Sequence, residues 1–161
     1  MSGHYDTAQI CKRGHVINSY YNEYPDHRQS FCGTCGEATI TECPSCRAAI
    51  RGSYDYDGPV VPPPYSPPSY CHACGKPYPW TALKLEAAKE LVAEVDGLDA
   101  EERRLLQQSL DDLVTDSPKT EVASLRFKRL MKKVGKESYD AVKTVVTDLV
   151  SESIKKSLFG P

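Results

Sequence analysis

The sequence predicts a small α+β protein: short β-hairpins stapled through side chains at the N-terminal end, then a bundle of about four helices. Three observations lead there. Composition breaks at Trp80: all seven Cys, all four His, nine of ten Tyr and ten of twelve Pro lie in residues 1–80 of the 161-residue chain. The cysteines come in closely spaced pairs. Beyond residue 80 there is no Cys, and apolar residues recur at helical spacing. The predicted domains are therefore 1–80, with a proline-rich insert at 58–70, and 81–161.

The first domain is short of Leu, Ile, Val and Phe, so it can bury little apolar area. A lobe that small needs a metal or disulfide staple. The candidate ligands are Cys11 with His15, Cys32 with Cys35, Cys43 with Cys46, and Cys71 with Cys74. A Cys-x-x-Cys knuckle lets one turn aim two sulfurs at a tetrahedral ion. Gly36 and Gly75 follow the second Cys of their knuckles, where the left-handed backbone of such turns suits glycine. Four pairs make eight ligands, enough to close two tetrahedral zinc sites with none left over. A disulfide framework would leave one of seven cysteines orphaned. A redox pair lacks its βαβ context, and iron–sulfur clusters use other spacings and leave His15 without a role.

Among the histidines, only His15 has knuckle spacing to a cysteine that otherwise lacks a partner. His72 lies inside a knuckle and is expected to point away from the ion. His27 sits in a polar loop and reads as solvated, and His4 is near the chain end. His4 and then His27 are the substitutes should His15 not ligate. Two groupings are open. Sequential grouping puts Cys11, His15, Cys32 and Cys35 in site 1 and Cys43, Cys46, Cys71 and Cys74 in site 2. A cross-braced one pairs the first knuckle with the third and the second with the fourth. Sequential sites close shorter loops at lower entropic cost, and the reading favours them. Strands are expected at 15–21, 38–41 and 48–51, making tandem zinc ribbons of short β-hairpins. Tyrosine rings can cover the sites and keep their hydroxyls wet.

The stretches Cys11-x3-His15, Phe31-Cys-Gly-Thr-Cys-Gly36, Cys43-Pro-Ser-Cys46 and Tyr70-Cys-His-Ala-Cys-Gly-Lys-Pro-Tyr-Pro-Trp-Thr81 resemble a bacterial family of uncharacterised zinc-ribbon proteins. The Pro-Trp-Thr exit from the last knuckle is the most specific part of that resemblance. It implies a bacterial, cytoplasmic protein with zinc on the matching cysteines, and it carries no activity across.

Residues 58–70 should favour extended polyproline II, a stiff arm tethered between Cys46 and Cys71. A tethered aromatic arm can present a binding surface at low entropic cost. Pro62-Pro-Pro-Tyr65 matches a WW-domain ligand, a coincidence in a bacterial chain.

The helices follow in order. Thr81 caps the first, with Leu83, Ala87, Leu91 and Val95 inward and Gly97 as its stop. Asp99-Ala-Glu-Glu102 opens the second as a capping-box variant, with Leu105, Leu106, Leu110 and Leu113 inward. Pro118 suits the first turn of the third, with Val122, Leu125, Leu130, Met131 and Val134 inward and Gly135 as its stop. A fourth runs from 137 to 158, with Val142, Val145, Val146, Leu149 and Ile154 inward. Amphipathic helices on so small a lobe can leave apolar surface for a partner.

Charge narrows the function. The net charge is −2, and no apolar run approaches the roughly 20 residues of a membrane span. The N-terminal ten residues are polar and lack a signal-peptide core, so a cytoplasmic location is expected, a reducing setting in which cysteines serve metals. The segment 119–136 is basic, presenting Arg126, Lys128, Arg129, Lys132, Lys133 and Lys136. That is the candidate nucleic-acid surface, weighed against a solvated face complemented by acidic helices. Two divalent ions on seven thiolates take the first domain from −1 to about −4, which repels phosphates there.

An enzyme is not expected. Catalytic zinc keeps an open position beside three protein ligands, whereas eight ligands saturate two ions. Pro44 in Cys43-Pro-Ser-Cys46 matches half of the deaminase signature, but the His-x-Glu half is absent. The expected function is a zinc-binding, non-enzymatic adaptor with an unidentified protein partner. Nucleic-acid binding through 119–136 is the alternative, and a zinc hydrolase or deaminase the weakest reading.

Overall fold

The computed structural model describes residues 3–161. Their backbone divides into two compact units that meet between residues 83 and 84 of the chain, the first ending at Leu83 and the second running from Lys84 to Pro161.

The first unit is built from five short strands: β1 His4–Thr7, β2 Gln9–Cys11, β3 Val16–Asn18, β4 Thr39–Ile40 and β5 Arg51–Asp55. Strands β3, β2 and β4 form one antiparallel sheet, with Ile10 opposite both Val16 and Ile40. Strand β1 pairs with β5, placing His4 opposite Asp55 and Tyr5 opposite Tyr54. The expected strands at 15–21 and 38–41 are present but shorter. That at 48–51 is displaced to β5, because residues 42–49 are used to close the third knuckle. The chain end that carries His4 is strand β1, whose pairing with β5 is too distant in sequence for local patterning to reveal.

Strand side chains also order the long loop between β3 and β4. The buried Asp6 carboxylate accepts from the backbone N–H groups of Thr7, Asn22 and Glu23. Buried Gln9 donates to the Gln29 carbonyl and accepts from the Gln29 N–H. Buried Asn18 donates to the Tyr24 carbonyl and accepts from the Tyr20 N–H. A loop this long would otherwise leave backbone groups without partners.

The apolar centre of this unit is small: Ala8, Ile10, Ile50, Tyr78, Trp80, Cys43 and Cys71. Tyr78 and Trp80 stack at 4.7 Å between ring centroids. The Trp80 indole N–H donates to the Pro68 carbonyl at 2.9 Å, and the Thr81 hydroxyl to the Ser69 carbonyl at 2.8 Å. Thr81 is therefore not the helix cap. It sits inside the first helix and fastens the end of the proline arm. The Tyr65 hydroxyl fastens the middle of the arm to the Arg51 carbonyl. Gly14 lies against Trp80 with φ +96°, and a Cβ there would sit 3.0 Å from the Trp80 Cβ.

Five helices follow: α1 Pro79–Ala93, α2 Ala100–Val114, α3 Thr120–Met131, α4 Lys136–Thr147 and α5 Glu152–Phe159. The Asp99 carboxylate accepts from the Glu102 N–H and the Glu102 side chain accepts from the Asp99 N–H, completing the expected capping box. The single fourth helix expected over 137–158 is two helices. Ser151 breaks it, its hydroxyl accepting the Ile154 N–H as the cap of α5.

Two helix faces differ from expectation. Beyond Trp80 and Thr81 at its start, α1 and the turn after it bury Ala88, Val92 and Val95, while Ala87 is exposed and Leu83 is 49% exposed. On α3 the buried residues are Ala123, Ser124, Phe127, Leu130 and Met131, while Val122 and Leu125 are 56% and 64% exposed. Small Ala123 and Ser124 give α3 a flat face to pack against α2, and Phe127 anchors that face, edge-on to Phe159. Pro118 precedes α3 rather than forming its first turn.

Candidate metal centres

The three Cys-x-x-Cys knuckles share one backbone design. In each, the first cysteine's N–H donates to the carbonyl five residues on: Cys32 to Glu37, Cys43 to Ala48, Cys71 to Lys76. In each, the residue four on returns its N–H to the cysteine's carbonyl: Gly36 to Cys32, Arg47 to Cys43, Gly75 to Cys71. A bridge between the residue before the cysteine and the residue six after it closes the hairpin: Phe31 with Ala38, Glu42 with Ala49, Tyr70 with Pro77. The return position is left-handed every time, with φ +74° at Gly36, +64° at Arg47 and +73° at Gly75. Arginine has the Cβ strain that glycine avoids there. Arg47→Gly is expected to stabilise the protein by up to about 1 kcal/mol, since relief of that strain exceeds glycine's added unfolded-state entropy. A denaturant midpoint unchanged or lowered would show the strain is absent.

The knuckles bring the cysteines into two sets. Cys11, His15, Cys32 and Cys35 form one, and Cys43, Cys46, Cys71 and Cys74 the other, with each set's ligand atoms within 4.8 Å of one another. This is the sequential grouping. In the first set Cys11 Sγ lies 3.4 Å from His15 Nδ1 and 3.8 Å from Cys35 Sγ, and Cys32 Sγ lies 3.6 Å from His15 Nδ1. In the second, Cys43 Sγ lies 3.8 Å from Cys74 Sγ and Cys46 Sγ 3.7 Å from Cys71 Sγ. These separations are far beyond a disulfide bond of about 2.05 Å, and all seven thiols are free. His4, His27 and His72 lie outside both sets. Each set has a buried side, Cys11 with Cys32 and Cys43 with Cys71, and a side nearer solvent.

Three of the seven thiols, Cys32, Cys43 and Cys71, are held below the ordinary thiol value. Backbone N–H groups of Cys74 and Ala73 bring the Cys71 thiol down to about 6. At Cys32 burial raises the thiol, but N–H groups of Cys35 and Thr34 prevail and lower it to about 6. Cys46 goes the other way, to about 12: the Ala48 N–H lowers it, but burial and the crowding of Cys71, Cys74 and Cys43 prevail. Packed thiolates repel, so the last of a set ionises only with a cation among them.

One contributor has no ligand spacing to reveal it. Tyr78 is 1% exposed, and its hydroxyl is the one buried side-chain oxygen or nitrogen without a hydrogen-bond partner among the described residues. Its ionisation is suppressed first by burial and then by the Cys71 sulfur. A phenol beside a thiolate can donate to it and steady a metal–sulfur bond.

The basic residues stand differently. Lys133 pairs with Glu102 of α2, Lys136 begins α4, Arg126 is half-buried, and Lys128, Arg129 and Lys132 are exposed. No helix among the described residues is long and apolar enough to cross a membrane.

Short hairpins carrying two clusters that can each hold a metal ion, followed by a helical unit, define a cysteine-knuckle α+β protein. The chain belongs to the bacterial family described as "Uncharacterized protein conserved in bacteria (DUF2321)", which it matches over residues 4–158. No curated protein and no solved structure matches it.

Proposed function

We propose that this protein is a zinc-stabilised, non-enzymatic interaction module of the cytoplasm. One observation carries the reading: each cluster contains four ligands, and no cysteine is left over. A catalytic zinc would keep a coordination position open beside three protein ligands. The geometry suits zinc. A tetrahedral ion with bonds of about 2.3 Å to sulfur and about 2.05 Å to nitrogen has edges of about 3.8 Å and 3.6 Å. Three of the nine sulfur–sulfur edges are 3.7–3.8 Å, two of the three edges to His15 Nδ1 are 3.4 and 3.6 Å, and all ligand atoms of a set lie within 4.8 Å of one another. Seven free thiols fit a reducing compartment. For the partner surface, Val122 and Leu125 of the helical unit stand exposed one turn apart on α3.

Metal analysis of the purified protein is expected to find two zinc ions per chain, neither with an exchangeable water. One zinc, or a water on either, would return the hydrolase or deaminase reading. Capture from native cytoplasm is expected to yield a protein partner that Val122→Asp with Leu125→Asp abolishes. Salt-dependent retention on DNA or RNA, lost on reversing Arg129, Lys132 and Lys133, would replace the interaction reading with nucleic-acid binding.

A further inference from the structure

The same unit carries a second concavity, remote from the cysteines in chemistry. It is an open cavity of about 410 Å³ whose walls include Tyr20, Tyr24, Tyr54 and Tyr56, with the acidic residues Glu23 and Asp55 among them. Val60 and Pro62 of the arm complete the rim, and no Lys or Arg lines it. The tyrosines form two edge-to-face pairs. Tyr20 and Tyr24 have centroids 5.8 Å apart at 85°, and Tyr54 and Tyr56 have centroids 4.8 Å apart at 64°. Neither Glu23 nor Asp55 makes an ion pair among the described residues. The Tyr24 phenol is held above its ordinary value first by the Glu23 carboxylate and then by burial, with Asp55 a smaller contributor.

We propose that this four-tyrosine, two-carboxylate cavity is a binding site for an organic cation of the N-alkylated ammonium class. Aromatic faces attract a cation through their quadrupole, most effectively when the cation is weakly hydrated, as an alkylated ammonium is. The carboxylates add long-range attraction, and apolar Val60 and Pro62 suit methyl groups rather than a hydrated metal ion. Neighbouring rings already show the contact: the Arg51 guanidinium sits 4.9 Å from the Tyr5 centroid, and Arg28 sits 4.0 Å from that of Tyr21. The walls are also built in advance. Tyr54 lies on β5, and Tyr56, just past its end, packs edge-to-face against it. The loop bearing Tyr20 and Tyr24 is fixed by the Tyr24 N–H to the Tyr20 carbonyl, by the Asn18 side chain, and by the Asp6 carboxylate under Asn22 and Glu23. Little ordering is left for a ligand to impose.

The test compares choline with its uncharged isostere 3,3-dimethylbutan-1-ol, by NMR titration or calorimetry on the full-length metallated chain. Choline is expected to saturate with a dissociation constant near about 1 mM, and the neutral alcohol to bind at least about tenfold more weakly. Tyr24→Leu with Tyr56→Leu is expected to weaken choline about tenfold, and Asp55→Asn several-fold. Tyr24 and Tyr56 are exposed and Asp55 half-buried, and unchanged zinc content and an unchanged denaturant midpoint establish that the fold is intact. A trimethyllysine peptide binding more tightly than choline identifies a protein-borne cation, and equal binding a free small molecule. Equal affinity for choline and the alcohol, no saturation by about 50 mM, or variants that bind as the parent does would each overturn the proposal.

Discussion

Stripping the metal is expected to unfold the hairpin unit and leave the helical unit standing. The hairpin unit has strands of two to five residues and a buried cluster of seven, two of which are cysteines of the second candidate metal set. Such a unit draws its stability from the staple: structural zinc supplies about 10–16 kcal/mol, against a net folding free energy of about 5–15 kcal/mol for a whole domain. The helical unit has its own sixteen-residue buried cluster, with no metal ligand in it. A strong chelator should therefore abolish the near-UV signal of Trp80 and the stacked Tyr78 while most far-UV helical signal persists. Cys11→Ser with Cys32→Ser should lose one metal and retain the other, because both belong to one set. Loss of both metals from that variant would show the sites are interdependent. Helix melting alongside the hairpins would show that the second unit does not fold on its own core.

The two clusters were legible in the sequence because a knuckle is a local object. Its two sulfurs, its left-handed return residue and its closing hairpin all lie within eight residues, so spacing carries the geometry. Arg47 is the exception that spacing hides: the backbone there is as left-handed as at Gly36 and Gly75, but the side chain gives no sign of it. The helix faces were legible only to within about one residue. Large apolar side chains at Leu83, Val122 and Leu125 outweighed Ala88, Ala123 and Ser124 in the pattern, yet small residues are what let helices approach closely. Strand β1 was invisible, because polar His4 and Asp6 alternate with residues whose partner is β5. Asp6 reads as a surface acid and is a buried clamp. Its partners are backbone N–H groups, which sequence does not single out.

The Pro-Trp-Thr exit, conspicuous in the sequence but without a role there, joins the last knuckle to the arm. Trp80 is 3% exposed, stacks on Tyr78, backs onto Gly14 and gives its indole N–H to Pro68. Trp80→Ala removes the largest side chain of a small core, and such losses cost about 3–5 kcal/mol. Trp80→Phe keeps a ring to stack but leaves the Pro68 carbonyl without its donor, for about 1–3 kcal/mol. Both are expected to lower the denaturant midpoint of the hairpin unit in that order, followed by tyrosine circular dichroism. Both should also speed proteolytic cleavage within residues 58–70, because the Pro68 bond is one of the arm's fastenings, with Thr81 to Ser69 and Tyr65 to Arg51. The Phe variant separates the two effects. Arm cleavage raised by Trp80→Phe as much as by Trp80→Ala assigns the fastening to the indole N–H. A Phe variant that resists cleavage as the parent does would assign the hold on the arm to Thr81 and Tyr65 instead.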